Sequence, residues 1–416
     1  MTDVTDDIRE FPTTRSPGRP FDPDPALLRI RVLDRPPKVH CPADIDAYVF
    51  TGYEQVRQIL AAEQVSSRGA SSFHAQPGHD FDQPIYPGNL LQTDGKEHQF
   101  LRQLLMPEFT VRRTRELLPY IERVIHEHLD AVLANGPGAD LVADLATGIP
   151  SLVICQLLGV PPQDRPRFIE WAWAMMNTDN HRDQQIEPGR LLMGYMYAMA
   201  AEKLKLPTPP DDLMGRLITR SREIADRLEY DRPPLTVEEL GHLSLVLLVA
   251  GSETTANMIG LSTLLLLTEQ QSTLRALRAD PSLAEVAVEE MLRYLTVIQF
   301  GVLRRTTAEL TVGDHTIGPE EWVVASLAGG NRDPRAFADP GTVDIGRPEP
   351  QRHLAFGWGA HQCAGKQLAR TEIIAVHRIL HQRIPTLRLA APIDELPFKT
   401  LGMVYGLKSL PVTWDA

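Results

Sequence analysis

One cysteine, Cys363, stands in the stretch Phe356-Gly357-Trp358-Gly359-Ala360-His361-Gln362-Cys363-Ala364-Gly365, between small residues on a glycine-rich approach. A helical segment follows at once, from Lys366 to about Leu380. A thiolate at a helix N-terminus faces the positive end of the backbone dipole and unpaired N–H groups, which stabilise the anion. Gly357, Gly359 and Gly365 permit positive φ or let a flat, bulky group lie against the backbone. The fold must therefore hold a thiolate that is buried yet accessible beside a flat surface. Axial ligation of haem iron is the chemistry that asks for this arrangement.

The rest of the chain agrees with an intracellular haem protein. Three cysteines (Cys41, Cys155 and Cys363) in 416 residues argue against a disulfide framework and suit a reducing cytoplasm. The opening segment contains Asp3, Asp6, Asp7 and Glu10, which is wrong for a secretory leader, so a cytoplasmic protein is expected. The most apolar stretch, Leu243 to Leu267, is interrupted by Glu253, Thr254, Thr255 and Asn257, which argues against a membrane span. Net charge is −12 and no basic run occurs, so nothing supports nucleic-acid binding. No phosphate loop or dinucleotide fingerprint is present. Electrons for redox chemistry must then come from another protein.

Helices dominate the reading. Residues 1–25 hold five prolines and read as an arm on the surface, and residues 26–416 read as one domain. Tyr48-Val49-Phe50 has strand character, and Tyr53–Ala62 looks helical. Ser66–Asn89 is a long aperiodic loop. Gln92–Leu105, Arg112–Asn135, Pro166–Asn177 and Pro281–Tyr294 are helical by apolar spacing. Thr236-Val237-Glu238-Glu239 reads as a capping box opening a helix that reaches Glu269, about 45 Å long. Strands are expected between Phe300 and Ser326.

In the middle of the long helix lies Ala250-Gly251-Ser252-Glu253-Thr254-Thr255. Leu247, Ala250, Gly251, Thr254 and Met258 share one face. A face with Ala-Gly at its centre can approach a planar macrocycle closely. The Thr254 hydroxyl can bond back to the Ala250 carbonyl and widen the turn. Glu253 is an acid in an apolar helix and should find partners or change its pKa. Further on, Glu290-Met291-Leu292-Arg293 places a carboxylate and a guanidinium three apart, where they can pair. His74, His79, His126 and His128 show no metal-binding spacing.

These motifs together resemble the cytochrome P-450 family: Phe-x-x-Gly-x-x-x-Cys-x-Gly at the cysteine, the acid–alcohol pair in the long helix, and Glu-x-x-Arg between the two, in the order helices, short β portion, cysteine. The resemblance covers nearly the whole chain and is to soluble bacterial, actinobacterial-type members. It implies a mainly α fold with a small β portion, a triangular prism of about a dozen helices around haem b. Cys363 becomes the iron ligand. Ala250, Gly251, Phe356 and Gly357 lie on the macrocycle, and His98, Arg102, Arg304 and His353 hold its propionates. Thr254 steadies the oxygen substrate and its proton-donating water, and Glu253 relays protons. Glu290 and Arg293, joined by Arg332, become fold residues.

The same likeness implies substrate contacts at Leu91, Val246, Ala250, Ile298, Gln299, Met403 and Val404. Gln299, the polar one, is expected to bond backbone rather than substrate. The aromatic-rich helix at Trp171–Met176 is expected to serve mainly the core and, by its position, also to border the substrate. The implied activity is a monooxygenase acting on a mostly hydrophobic small molecule, in secondary-metabolite tailoring, with a ferredoxin and ferredoxin reductase as electron donors. The donor is expected to be steered by Arg112, Arg113 and Lys366. A haem-thiolate sensor or carrier without turnover is the alternative, and the Glu253-Thr254 pair favours the enzyme.

Overall fold

A computed structural model describes residues 8–33, 35–69, 75, 81, 84–176, 182–226, 232–400 and 402–415. His74 and His79, and much of the loop between Ser66 and Asn89, lie outside the described residues.

Helix α1 (Pro25–Ile30) opens on Asp24, whose carboxylate accepts the Ala26 N–H. Strands β1 (Lys38–Cys41) and β2 (Ile45–Phe50) pair antiparallel, and helix α2 (Tyr53–Ala61) and strand β3 (Val65–Ser66) follow. Helix α3 (Gly95–Leu105) leads to α4 (Val111–Ala134), which the Thr110 side chain caps. Strand β4 (Ala139–Asp140) precedes α5 (Gly148–Leu158), which ends on Gly159 in the left-handed region. Helices α6 (Arg165–Met176), α7 (Arg182–Lys205) and α8 (Leu213–Ala225) lead to α9 (Val237–Leu267).

Helix α9 has 31 residues, about 46 Å at the usual rise. The capping box forms as expected. The Thr236 hydroxyl accepts the Glu239 N–H at 3.2 Å, and the Glu239 carboxylate accepts the Thr236 N–H at 2.9 Å. Among the described residues α9 alone is long and apolar enough to cross a membrane by length and composition. Here it packs against α5, α6, α7 and other helices, so its apolar faces are spent on the core.

The chain continues through α10 (Gln271–Ala279) and α11 (Ala284–Leu295) into strands β5 (Val302–Thr306), β6 (Leu310–Val312), β7 (His315–Ile317) and β8 (Trp322–Ala325). Helices α12 (Leu327–Asn331) and α13 (Lys366–Arg383) and strands β9 (Arg388–Leu389) and β10 (Pro411–Thr413) complete it. The main sheet has the order β1-β2-β8-β5-β3, with β2 and β8 parallel and its other pairs antiparallel. The sheet is small beside the helical mass, as expected. Between Leu396 and Lys408 an irregular hairpin folds back on itself, with Phe398 opposite Leu407, and docks on Ile298 through Val404.

Two expectations change at this level. The N-terminal arm does more than cover the surface: Phe11 and Phe21 are buried, and Phe11 packs on Phe300 with ring centroids 6.2 Å apart. Glu290 and Arg293 do pair, at 2.7 and 2.9 Å, both buried. The third member is Arg347, not Arg332. Arg347 Nε donates to both Glu290 oxygens at 3.1 Å. Arg332 instead turns to the Tyr294 carbonyl at the end of α11 and to the Phe21 carbonyl and Asp22 carboxylate that the buried arm supplies.

Candidate functional site

The cysteine loop is held by its own backbone. The Cys363 N–H donates to the Phe356 carbonyl at 2.9 Å, and the Gly357 N–H to Leu354 at 2.8 Å. Arg102 of α3 donates to the Gln362 carbonyl at 2.7 Å. Gly357 has φ +68°, which a side chain disfavours. A Cβ at Gly357 or Gly365 would meet nothing within 4 Å, so space opens beside the loop. At Gly359 the reverse holds: a Cβ would lie 2.1 Å from the Leu60 carbonyl oxygen.

Cys363 has an exposed side chain, yet protein surrounds it on every side at longer range. Both observations hold for a residue on the wall of an internal hollow. Burial pushes its thiol pKa up; the Gly365 N–H and the Arg102, Lys366 and Arg370 cations pull it down. The sulfur thus meets the N–H just ahead of α13, as the helix-terminus argument requires.

Helix α9 also presents an open face. Ala250 is exposed although it lies mid-helix in a packed element, and Val246, Leu247 and Thr254 are partly open on the same face. The Thr254 hydroxyl donates to the Ala250 carbonyl at 2.6 Å, the bond expected from the sequence. Gly251 behaves differently from the expectation. A Cβ there would approach Ile154 Cδ1 of α5 to 2.9 Å, so its missing side chain admits a neighbouring helix rather than a macrocycle. Burial raises the pKa of Glu253, and the Lys399 ammonium opposes that rise.

Of the four residues expected to meet carboxylates, three gather. Burial lowers the His98 pKa to about 4, with His361 and Arg102 adding to the drop, Asp94 opposing it and Arg304 contributing further. Among the described residues the buried His98 Nε2 has no hydrogen-bond partner. Burial also lowers Arg304 to about 10, against the pull of Asp94. Among the described residues its guanidinium donates to the carbonyl of the preceding Leu303 at 2.8 Å. His353 does not join them. Its Nδ1 accepts the Ala355 N–H at 3.2 Å, which leaves the proton on Nε2, 3.1 Å from Glu289. Glu289 also binds Arg370, so His353 ties the loop to α11 and α13.

The residue that sequence reasoning missed is His361. Its ring stacks on His98 with centroids 4.0 Å apart, and its Nε2 lies 3.2 Å from Asp94 and 3.3 Å from the Ser67 hydroxyl. Its position two residues before Cys363 is the signal that could have found it.

The expected substrate residues divide by burial. Leu91 is 54% exposed, while Val404 is buried against Ile298. Met403 and Ile298 are half-buried. The Gln299 amide is committed to the Gly402 and Thr400 carbonyls, in line with its expected backbone role. Along α6, Phe168 and Ala172 are buried, but Trp171, Trp173, Met175 and Met176 are only half-buried.

These features fit a haem. A cysteine sulfur lies exposed in a glycine loop with space beside it, a mid-helix alanine of α9 is open, and, among the described residues, an unpartnered histidine nitrogen and a desolvated guanidinium wait for acceptors. Comparison with known proteins agrees. The sequence profile of the family described as Cytochrome P450 matches residues 44–383. Cytochrome P450 CYP105Q4 of Mycobacterium marinum is 37% identical over 98% of this chain and 96% of its own length. Pentalenic acid synthase of Streptomyces avermitilis is 38% identical over 97% of each chain. The crystal structure of CYP105P1 in complex with filipin I superposes with a TM-score of 0.88 at 40% identity, covering 98% of this chain and 99% of that one. With the profile spanning most of its length and such relatives end to end, the chain belongs to the cytochrome P450 family, whose members are haem-iron oxidoreductases that use molecular oxygen.

Proposed function

We propose that this protein is a haem b monooxygenase that oxidises a mostly hydrophobic small molecule in the tailoring of a secondary metabolite. The observation that carries this reading is the exposed Cys363 in its glycine loop, alongside the open Ala250 and the Thr254–Ala250 bond of α9. Haem, when bound, supplies the iron at which dioxygen is reduced and cleaved, one oxygen atom passing to the substrate and the other leaving as water.

The protein's own part follows from its residues. Cys363 would ligate the metal, its charge tempered by the Gly365 N–H and by Arg102. His98, Arg102, Arg304 and His361 would take the propionates, which would give the His98 Nε2 its missing partner. The Thr254 proton is spent on Ala250, so the hydroxyl oxygen is left to accept a hydrogen bond from a water in the hollow. Glu253, its pKa raised by burial, is suited to take up and hand on protons. Val246, Leu91, Ile298, Met403 and Val404 offer apolar surface with few polar anchors, which favours a hydrophobic substrate. The filipin I bound to one relative and the pentalenic acid named for another support the metabolite reading.

Electrons would come from a ferredoxin and its reductase. Arg112 and Arg113 bracket Glu116 at 3.1 and 2.8 Å, leaving that surface net positive for an acidic donor. The central test is optical. Cys363→Ser should abolish the thiolate-type spectrum of the haem-loaded protein; a variant that keeps it removes Cys363 as ligand. Thr254→Ala, assayed on a compound found by spectral binding, should lower product formed per electron roughly 10-fold or more, with the balance released as peroxide. Unchanged coupling would remove that role from Thr254.

A further inference from the structure

Glu253 sits in a helix whose neighbours are almost all apolar, so any charge that reaches it governs its proton. The hairpin around residues 398–407 brings one. The Lys399 N–H donates to the Gly406 carbonyl at 2.8 Å, which places Lys399 directly across the hairpin from Gly406. Gly406 abuts α9 so closely that a Cβ there would fall 1.9 Å from Asn257 Oδ1. Asn257 in turn donates its side-chain N–H to the Glu253 carbonyl at 2.9 Å, one turn away. The hairpin is therefore docked on the Glu253 turn of α9, with Lys399 beside the docking point.

The lysine is also guided from its other side. Its Nζ lies 5.3 Å from the centroid of the Trp173 ring. Trp173 is held by its indole N–H, which donates to the Ser151 hydroxyl of α5 at 3.1 Å. A cation steered by a fixed aromatic face and a docked hairpin is well placed to act on the acid. Lys399 is the one charge that acts on Glu253 among the described residues.

We propose that Lys399 is a positioning residue: it is the counter-charge of Glu253 and controls when that carboxyl takes up and releases the protons delivered to the hollow. The inference rests on the proposed relay role of Glu253.

Infrared difference spectroscopy on the full-length haem-loaded protein tests it. The protonated-carboxyl band that disappears in Glu253→Gln belongs to Glu253; Glu372, also buried, keeps its own band in that variant. Titrated with pH, the Glu253 band should move its midpoint upward by roughly one pH unit in Lys399→Met. Lys399→Arg should restore it, because charge rather than shape is responsible. Lys399→Gln, which keeps a polar end, gives the same reading if the methionine variant folds poorly. An unchanged midpoint in the neutral variants, or an equal shift in Lys399→Arg, overturns the proposal. The titration reads the lysine–acid coupling alone. Failure of the relay itself would show separately, as Glu253→Gln turning over with unaltered rate and coupling.

Discussion

Glu290 is buried to 1% exposure and has one carboxylate to share among Arg293, Arg347 and the Asp344 N–H. Arg293 spends its remaining donors on the Asn331, Pro340 and Thr342 carbonyls. Such a cluster stabilises only when complete, because each ion has given up its water. Arg347→Met should therefore destabilise the haem-loaded protein by about 3 kcal/mol or more in urea unfolding. Arg347→Lys should recover only part, since an ammonium cannot reproduce the fork that meets both carboxylate oxygens. Equal stability of Arg347→Met and the parent protein would deny the cluster its role. The Glu290–Arg293 half was legible in the sequence because helix geometry alone brings residues three apart together. Arg347 was not, since it lies 57 positions away and only the fold returns it. The same limit explains His353 and His361. Both flank the cysteine loop, and only the approach of α3 separates them by giving His361 a partner in His98.

Where α9 meets α13, the contact is not wholly apolar. His377 Nε2 lies 2.7 Å from the Ser262 hydroxyl, and His377 Nδ1 lies 3.2 Å from His381 Nε2. Both histidines are buried to 1% exposure. Burial lowers the His377 pKa to about 4, and burial with the His377 and Arg278 neighbours drives His381 well below its usual value. Neutral imidazoles are thus built into the joint between the two helices that carry the site. In the unfolded chain a histidine protonates near pH 6.5. Below that pH the unfolded state binds protons that the folded state refuses until about pH 4, so stability falls as pH drops through this window and is whole above it. At pH 5 the loss should be on the order of 1–2 kcal/mol for His377 alone. His377→Gln keeps a donor for Ser262 without titrating. Unfolding midpoints measured at pH 7.5 and pH 5 should lie closer together in this variant than in the parent, and an identical gap would refute the assignment. The capping box and apolar run of α9 could be read from local sequence. The polar seam could not, because Ser262 and His377 are each unremarkable on their own helices.

Considered as one molecule, the protein is fastened by its two chain ends. The arm lays Arg15 over the Tyr405 ring, 3.6 Å from its centroid, and Tyr405 stacks on Phe398 in the same hairpin. Asp22 and the Phe21 carbonyl satisfy Arg332, whose guanidinium also covers Tyr294 at the end of α11. That hairpin bears Lys399, Met403 and Val404, so the arm braces the segment that carries them. Deleting residues 1–24 removes two buried phenylalanines, about 1.5–3 kcal/mol each. It also leaves the buried Arg332 short of acceptors, a further penalty of about 1–3 kcal/mol. The truncated protein should unfold at lower urea. It should also bind any compound that perturbs the haem spectrum more weakly than the full chain does, because Tyr405 loses its cover. Arg15→Gln separates the two effects. It keeps the arm and its phenylalanines but removes the cation from the ring, so it should weaken binding while leaving most of the stability in place. If binding in Arg15→Gln matches the parent while the truncation alone weakens it, the arm acts through general stability and not through the hairpin.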